Sequence, residues 1–512
     1  MAQTYDVIIA GAGPIGLFLA CELALAHTSV LILERDPSPS SVWKSKPLGL
    51  RGLNTASVEA FYRRGLLDHV AEPSPVAHNA PGFRFGGHFA GLLLNANKLD
   101  LARWPYRLDG PALNPSPTTI ARVEAGLTER AEGLGVTILR GEGVARVEQD
   151  ASGVTVETGD QQTPSSFRGK WLVGCDGGRS TVRKAAGFSF EGTAPTLTGY
   201  VARVDLDHPE KLKPGFQASR GGMYIALEAP NLYLLDFDGG AFDRSREITA
   251  AHMQGVVRRV VGEGVSVAKL HLASSFTDRC MQATRYRRGR VLLAGDAAHI
   301  HSPLGAQGLN LGLGDALNLG WKLAATIHAQ TSTPTAEKED LTLLNTYEAE
   351  RLPLAKWVLE WTRAQVSVLR PDAFGTALRD LVTDLIATPD GTNLFLGRIW
   401  GLSQRYDLGD GQHPVVGCSV PEFELDDGSR LGSKMAGGRG VMVDFGEDEG
   451  LKGLVKGYEG KVDYVSLGAK DQLGLRALLV RPDGIVAWAS EEEKPDTGAA
   501  KAALERWFRC GS

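Results

Sequence analysis

The chain has 512 residues, of which 43% are hydrophobic and 22% are charged, as in ordinary globular proteins, and this length predicts roughly three domains of about 150 residues each. Its net charge of −5 excludes the strongly basic surface that is typical of nucleic-acid-binding proteins. The five cysteines are scattered and form no Cys-x-x-Cys pair, so neither a structural metal nor a disulfide framework is predicted, and a reduced, cytoplasmic location is expected.

The N-terminal segment predicts a strand, a glycine turn and a helix. Residues 7–26 are mostly apolar, but Pro14, Glu22 and three glycines interrupt them and no basic region precedes them, which argues against a signal peptide or a membrane span. We predict a strand at residues 5–10, a helix at 17–26 and a second strand at 29–34. Such a βαβ unit is typical of a parallel, doubly wound sheet.

The glycine turn carries a dinucleotide-binding pattern. Gly11 allows a tight turn, Gly13 lets the backbone approach a pyrophosphate, and Gly16 lets the helix pack closely on the strand. Glu34 stands 18 positions after Gly16, where a carboxylate accepts from a ribose hydroxyl, which favours FAD or NAD over NADP. The alternative is a glycine-rich turn without a ligand, and this motif alone does not choose between FAD and NAD.

The middle of the chain predicts a second sheet. Residues 37–48 are rich in proline and serine and predict a long loop, and residues 121–135 predict a helix. Residues 136–173 and 185–275 alternate apolar and polar positions, which is typical of antiparallel strands. We therefore expect an antiparallel sheet inserted into the first domain.

Two motifs flank the inserted segment. Residues 175–183 predict either a structural turn, in which Asp176 caps a helix from Ser180 and pairs with Arg183, or a ligand contact. Residues 290–310 predict a buried strand that ends in Asp296, then a loop rich in proline and glycine and a helix start. The dipole at such a helix start stabilises negative charge on a bound group.

The C-terminal third predicts helices and then a small separate unit. We expect a helix at residues 309–328, a loop at 329–340, helices within 341–388 and a break at 403–414. The strands predicted after the break lie at residues 439–445 and 461–466, followed by a hairpin at 478–488.

The three motifs, in this order and at these distances, resemble the FAD-dependent aromatic hydroxylases (class A flavoprotein monooxygenases of the p-hydroxybenzoate hydroxylase fold), and above all the larger polyketide, phenol and rifampicin enzymes. The resemblance implies an α/β fold: a Rossmann-type FAD-binding domain, an inserted antiparallel β-sheet substrate domain and a C-terminal thioredoxin-like domain. It implies three sets of domain boundaries: residues 1–75, 111–184 and 276–400 for the FAD domain, 76–110 and 185–275 for the substrate domain, and 405–512 for the tail.

The resemblance also implies the chemistry. NADPH or NADH reduces FAD, O₂ adds to the flavin, and the C4a-hydroperoxyflavin hydroxylates a phenolic or polyketide-derived aromatic substrate. Alternatives are Baeyer–Villiger insertion or epoxidation of a polycyclic secondary metabolite, and, more distantly, a non-catalytic binding protein on the same fold. The expected partner is an aromatic small molecule, with a possible homodimer, no nucleic acid and no membrane span.

The FAD contacts implied by the motifs and the resemblance are Gly11, Gly13, Pro14, Ile15, Gly16, Glu34, Arg35, Arg122, Asp176, Asp296, Pro303, Gly305, Gly308, Leu309 and Asn310. Ala56 departs from the family, since many relatives have arginine there and this chain has Arg51 upstream instead. Thr119 and Ile120 stand where many relatives have a Pro-Gln pair.

The catalytic side chains are not identified by the sequence. The candidates are Tyr224, His88, Tyr106 and Arg51, each of which is also compatible with a core or surface position. No metal site is predicted, because the spacing of His299 and His301 fits a loop beside the flavin better than a ligand set.

Overall fold

The computed structural model describes residues 4–72, 82–159, 165–226, 229–332, 339–409 and 413–508. Several predicted segments lie partly outside these ranges: the beginning of the 76–110 segment, parts of the runs at 136–173 and 185–275, part of the loop at 329–340, part of the break at 403–414, and the end of the tail with Cys510. No helix among the described residues is both long enough and apolar enough to cross a membrane.

The strands are β1 (Thr4–Ala10), β2 (Val30–Glu34), β3 (Leu50–Leu53), β4 (Phe85–Phe89), β5 (Leu92–Asn95), β6 (Ser116–Thr119), β7 (Thr137–Arg140), β8 (Val144–Gln149), β9 (Val154–Thr158), β10 (Ser165–Gly174), β11 (Phe190–Thr193), β12 (Thr198–Asp207), β13 (Gly215–Ser219), β14 (Gly222–Ala226), β15 (Asn231–Asp236), β16 (Ser266–Thr277), β17 (Cys280–Ala283), β18 (Arg287–Arg288), β19 (Val291–Leu293), β20 (His299–Ile300), β21 (Gly440–Asp444), β22 (Val462–Val465), β23 (Ala477–Val480) and β24 (Val486–Ser490).

The helices are α1 (Pro14–Leu25), α2 (Thr55–Arg63), α3 (Leu67–Val70), α4 (Ile120–Gly133), α5 (Thr181–Ala185), α6 (Ala250–Val260), α7 (Gly308–Ser332), α8 (Thr342–Leu369), α9 (Ala373–Ala387), α10 (Pro389–Trp400), α11 (Glu449–Val455) and α12 (Thr497–Phe508). The α/β fold class is confirmed.

The central sheet has the order β18-β19-β10-β1-β2-β7, and the hairpin β8–β9 continues from β10. Strands β19, β10, β1, β2 and β7 run parallel, with α1 and α7 packed against each other beside them. The prediction of antiparallel strands across residues 136–173 was therefore partly wrong. Strand β7 and the end of β10 instead extend the parallel sheet. The end of β10 is buried at the centre of the sheet, whereas β7 is a half-buried edge strand beside β2.

The second sheet has the order β13-β14-β15-β12-β16 and is antiparallel, as predicted. Helix α6 covers one of its faces with Met253, Val256, Val257 and Val260, which share a helical stripe. The sequence prediction of strands throughout residues 185–275 missed this helix. The opposite face is called the free face below because α6 does not cover it. It carries Met223 and Leu235, which pack in a second buried cluster with residues of β4, α8 and α10.

The tail forms a third sheet with the order β22-β21-β23-β24, in which β21 and β22 are parallel and the other neighbours antiparallel. The predicted hairpin is confirmed, since Gly484 N–H donates to the Arg481 carbonyl across its turn. The sheet has its own buried core. The thioredoxin-like character of this unit, and the domain boundaries throughout the chain, stay predictions.

Candidate FAD site

The turn between β1 and α1 is shaped by its glycines. Gly11 has a φ of +103°, and a Cβ there would lie 2.6 Å from the Cys175 carbonyl oxygen. A Cβ on Gly16 would collide with the Gly11 carbonyl, whereas no atom lies within 4 Å of the Cβ position of Gly13. The backbone at Gly13, at the start of α1, is thus open to a phosphate group.

The Glu34 carboxylate is held at the end of β2. Its Oε2 accepts from Ala12 N–H at 2.6 Å and its Oε1 from Asp36 N–H at 2.8 Å. Each carboxylate oxygen retains a lone pair that accepts from a ribose hydroxyl. Arg35 is exposed and pairs with Asp36 at 3.2 Å, so its flavin contact stays a prediction.

Asp296 lies in a short turn directly after β19, beside the dinucleotide turn. Gly295 has a φ of +62°, and its Cβ position is 3.0 Å from Ile15 Cγ1. The Cβ position of Gly312 on α7 is 2.6 Å from Ile15 Cδ1, so α1, the Asp296 turn and α7 meet at one point. The Asp296 carboxylate is accessible to solvent but surrounded by protein, and this burial raises its pKa against the opposing effect of His299.

The loop at residues 303–308 leads into α7 and is attached to β3 through Asn310. Asn310 Oδ1 accepts from Asn54 N–H at 2.9 Å, and Nδ2 donates to the Gly52 carbonyl at 2.9 Å. Pro303 is exposed, and Gly305 has a φ of +103°. The beginning of a 25-residue helix is thereby fixed between the Asp296 turn and β3.

A buried ionic network supports the Asp296 turn. Asp315 Oδ2 accepts from Gly295 N–H at 3.0 Å and lies 2.7 Å from His299 Nε2, while Asp315 Oδ1 lies 2.7 Å from Arg351 Nε. Burial alone would raise the pKa of Asp315, but Arg351 and His299 outweigh it and lower that pKa. Sequence reasoning missed this role, because 36 positions separate Asp315 and Arg351.

The Asp176 segment is a structural turn that contacts the Asp296 turn. Asp176 accepts from the N–H groups of Thr181 and Val182 at 2.7 and 3.1 Å and caps α5. The expected pair between Asp176 and Arg183 was wrong. Arg183 instead donates to the Ala297 and Gly178 carbonyls, both at 2.9 Å. A ligand contact of Asp176 stays a prediction.

Arg122 lies at the start of α4. Its Nη2 donates to the Asp68 carbonyl at 2.9 Å, and its buried Nε has no hydrogen-bond partner within the described part of the chain. An unpaired buried N–H group is costly. This unpaired Nε–H is free to donate to a ligand, but a flavin contact of Arg122 stays a prediction.

The described residues contain no cluster of three or more His, Cys, Asp or Glu side chains that could hold a metal ion.

Two of the four catalytic candidates lie near the free face of the second sheet. His88 packs on Phe216 with 4.5 Å between ring centroids, and its Nδ1 accepts from Gly91 N–H, which leaves the proton on Nε2. Burial lowers the pKa of His88 to about 4, so the ring is neutral at pH 7. Arg51 on β3 interacts electrostatically with Tyr233 on β15.

The other two candidates lie away from this face, and a catalytic role for them stays a prediction. Tyr224 is buried in the core beneath α6, on the covered face of the sheet, and its hydroxyl accepts from Lys213 N–H at 3.2 Å. Tyr106 packs edge-on against His413 of the tail, with 5.5 Å between ring centroids. Sequence reasoning missed Phe216 and Tyr233, whose alternation along their strands was the available signal.

The residues present fit FAD: an open Gly13 backbone, the Glu34 carboxylate and an accessible Asp296 meet around the start of α7. Two family models match the chain, one described as "FAD binding domain" over residues 4–362 and one as "Aromatic-ring hydroxylase, C-terminal" over residues 413–509. The chain belongs to the FAD-dependent aromatic-ring hydroxylases. It is therefore an FAD-dependent monooxygenase, and FAD is its cofactor.

Relatives of this hydroxylase cover it from end to end. A protein of Claviceps purpurea (strain 20.1) named "Monoogygenase" is 50% identical over 98% of this chain and 97% of its own length. The 12-dehydrotetracycline 5-monooxygenase/anhydrotetracycline 6-monooxygenase of Streptomyces rimosus is 40% identical over 98% of this chain and 99% of its own length. Among solved structures, the OxyS anhydrotetracycline hydroxylase of Streptomyces rimosus matches with a TM-score of 0.83 and 36% identity, over 100% of both chains.

Proposed function

We propose that this enzyme hydroxylates a polycyclic phenolic or polyketide-derived aromatic compound, with NADPH or NADH as the reductant and O₂ as the oxygen source. The observation that carries the proposal is the apolar cluster at the free face of the second sheet. There, Met223 and Leu235 of the sheet share one core with Leu304 of the loop before α7. A flat apolar substrate bound at the partly buried margin of this cluster lies beside that loop.

The shape and polarity of this face support an aromatic ligand. Phe216, Ile225 and Phe276 are partly buried at the margin of the same cluster, and Phe237 packs there too. Aromatic side chains offer large contact areas to a planar ring system. Few polar groups accompany them, as in most small-molecule sites, where such groups fix orientation.

The two polar candidates have complementary roles. Neutral His88 presents an Nε2–H donor to a ring hydroxyl or carbonyl oxygen of the substrate. The Arg51 guanidinium stabilises a phenolate or enolate oxygen, and such an oxygen makes the ring carbon more nucleophilic. Reduced FAD supplies the activation of O₂, while the apolar sheet face excludes water from the reacting atoms.

The test uses purified, FAD-loaded enzyme with NADPH and ¹⁸O₂. Anhydrotetracycline is the first probe because relatives act on it by name, and simple phenols are compared with it. We expect substrate-stimulated NADPH oxidation and one ¹⁸O in a product whose NMR spectrum shows a new ring or ring-junction hydroxyl. A lactone product would instead indicate Baeyer–Villiger insertion, and an epoxide product would indicate epoxidation. Formation of a product that contains no new oxygen atom, with or without O₂, would contradict the proposal.

We further propose that the reductant docks on an arginine cluster beside the Asp176 turn. Arg179, Arg244 and Arg246 line a surface cavity of about 600 Å³ together with Glu247, Ile248 and residues 270–275, so three guanidinium groups face one carboxylate there. Arg244 Nη2 donates to the Ser275 carbonyl at 2.8 Å, and burial and the nearby Arg179 lower the pKa of Arg244. Clustered guanidinium groups recognise phosphates, which a dinucleotide carries.

Arg244→Ala should raise the KM for the preferred reductant about tenfold, because one charge-assisted phosphate contact at a solvent-exposed site is lost. Steady-state kinetics with varied NADPH and NADH measure the effect, and KM for the aromatic substrate should stay unchanged. Arg258→Ala is the matched control, since Arg258 is an exposed arginine of α6 that pairs with Glu263. Equal KM values in the wild type and Arg244→Ala would refute the docking site.

The possible homodimer, the cytoplasmic location and the absence of nucleic-acid partners also remain proposals.

A further inference from the structure

Helix α9 carries an apolar stripe that the described chain leaves uncovered. Phe374, Leu378, Leu381 and Leu385 are 85%, 38%, 56% and 47% exposed. Their spacing of four, three and four residues places them on one side of the helix over about 16 Å. The adjacent side of α9, with Val382 and Ile386, packs into the protein core, so the apolar arc of the helix is wider than its own fold covers.

We infer that this stripe is the contact between two copies of the chain, which pair through α9 in an antiparallel arrangement about a two-fold axis. A spacing of four, three and four reads the same in both directions. A two-fold axis between Leu378 and Leu381 therefore places Phe374 opposite the partner's Leu385, and Leu378 opposite the partner's Leu381. This is the heptad spacing that interlocking helices use.

The exposed area fits a stable dimer. Taking roughly 200 Å² for each large apolar side chain, the four exposed fractions amount to about 450 Å² of apolar surface per copy. A standard interface covers about 800 Å² per partner and is roughly 60% apolar, so its apolar part has about this size. Single exposed hydrophobic residues are normal, whereas a contiguous patch of this area matches the largest patch on a typical monomer, and such patches are often functional.

Charge favours a second copy over a lipid surface. Asp380 and Asp384 are exposed in the C-terminal half of α9. These carboxylates repel an anionic membrane, where basic flanks are the rule. In the antiparallel pair, the acidic half of one helix lies beside the amino-terminal half of the other, and opposed helix dipoles attract.

The test is the mass of the FAD-loaded enzyme in solution, measured by light scattering and sedimentation velocity across a concentration series. The wild type should have twice the chain mass of 54.8 kDa. Leu381→Asp should weaken the dimer at least about 100-fold, because each dimer would bury two unpaired carboxylates. Phe374→Asp, at the end of the stripe, should act in the same direction.

Thr383→Asp is the matched control, since it adds the same charge to the same helix at an exposed position on the far side from the stripe. It should remain dimeric, and all variants should keep bound flavin and wild-type circular dichroism because the positions are exposed. A monomeric wild type, a dimeric Leu381→Asp variant, or binding of the wild type to phosphatidylglycerol vesicles that this variant loses would each overturn the inference.

Discussion

Replacing Arg351 by methionine is expected to lower the free energy of unfolding by about 3–5 kcal/mol. Arg351 is almost fully buried, and it donates to Asp315 Oδ1, the Tyr406 hydroxyl and the Leu311 carbonyl, each at 2.7 Å. Without it, the buried Asp315 carboxylate loses its guanidinium partner and keeps the Gly295 N–H and His299 as hydrogen-bond partners. Urea denaturation followed by circular dichroism measures the loss.

The Arg351 variant should also bind FAD less tightly, because Asp315 holds the Gly295 N–H and so fixes the turn that presents Asp296. Lys356→Met serves as the control, since Lys356 is an exposed cation on the same helix and its removal should change stability by about 0.5 kcal/mol or less. If Arg351→Met unfolds at the same urea concentration as this control, the network does not stabilise the fold.

The parts of the fold that local sequence dictates were predicted correctly. The β1–α1–β2 unit follows from an apolar run, a glycine turn and a second apolar run, and Gly11, Gly16 and Glu34 lie where that pattern places them. The start of α1 was predicted at residue 17 and lies at Pro14, because proline is well suited to the first turn of a helix. The β1–α1–β2 unit is determined by residues that are close in the sequence, so it could be predicted without knowledge of tertiary contacts.

The wrong predictions concern side chains whose position is determined by segments far away in the sequence. Arg183 seemed a partner for Asp176 within one motif, but it reaches the Ala297 carbonyl, 114 positions away. Tyr224 is buried because α6 covers the side of the second sheet on which this residue lies. Met253, Val256, Val257 and Val260 had the helical spacing that would have revealed α6. Once that helix is recognised, strand alternation assigns Met223 to the free face and Tyr224 to the covered one.

Asp296→Ala is expected to raise the dissociation constant for FAD about 100-fold. The family resemblance implies that this carboxylate would accept from hydroxyl groups of the ribityl chain, and loss of hydrogen bonds to a charged acceptor costs about 1.5–3 kcal/mol. The carboxylate is accessible, follows β19 and lies beside the Ile15 contact of the dinucleotide turn, so the substitution removes no packing. Fluorescence titration of apoprotein with FAD measures the change, and flavin retained after dialysis confirms it.

Acidification gives the same experiment an independent readout. Burial raises the pKa of Asp296, so the carboxylate takes up its proton at a higher pH than an ordinary aspartate does. FAD affinity in the wild type should be complete above that raised pKa and fall as the pH drops through it, whereas the alanine variant should lack this step. Asp390→Ala, which removes an exposed carboxylate paired with Arg103, should titrate like the wild type. If Asp296→Ala keeps wild-type affinity and the wild-type pH profile, the carboxylate does not contact the flavin, and the attachment of the cofactor must rest on the Gly13 turn and Glu34 alone.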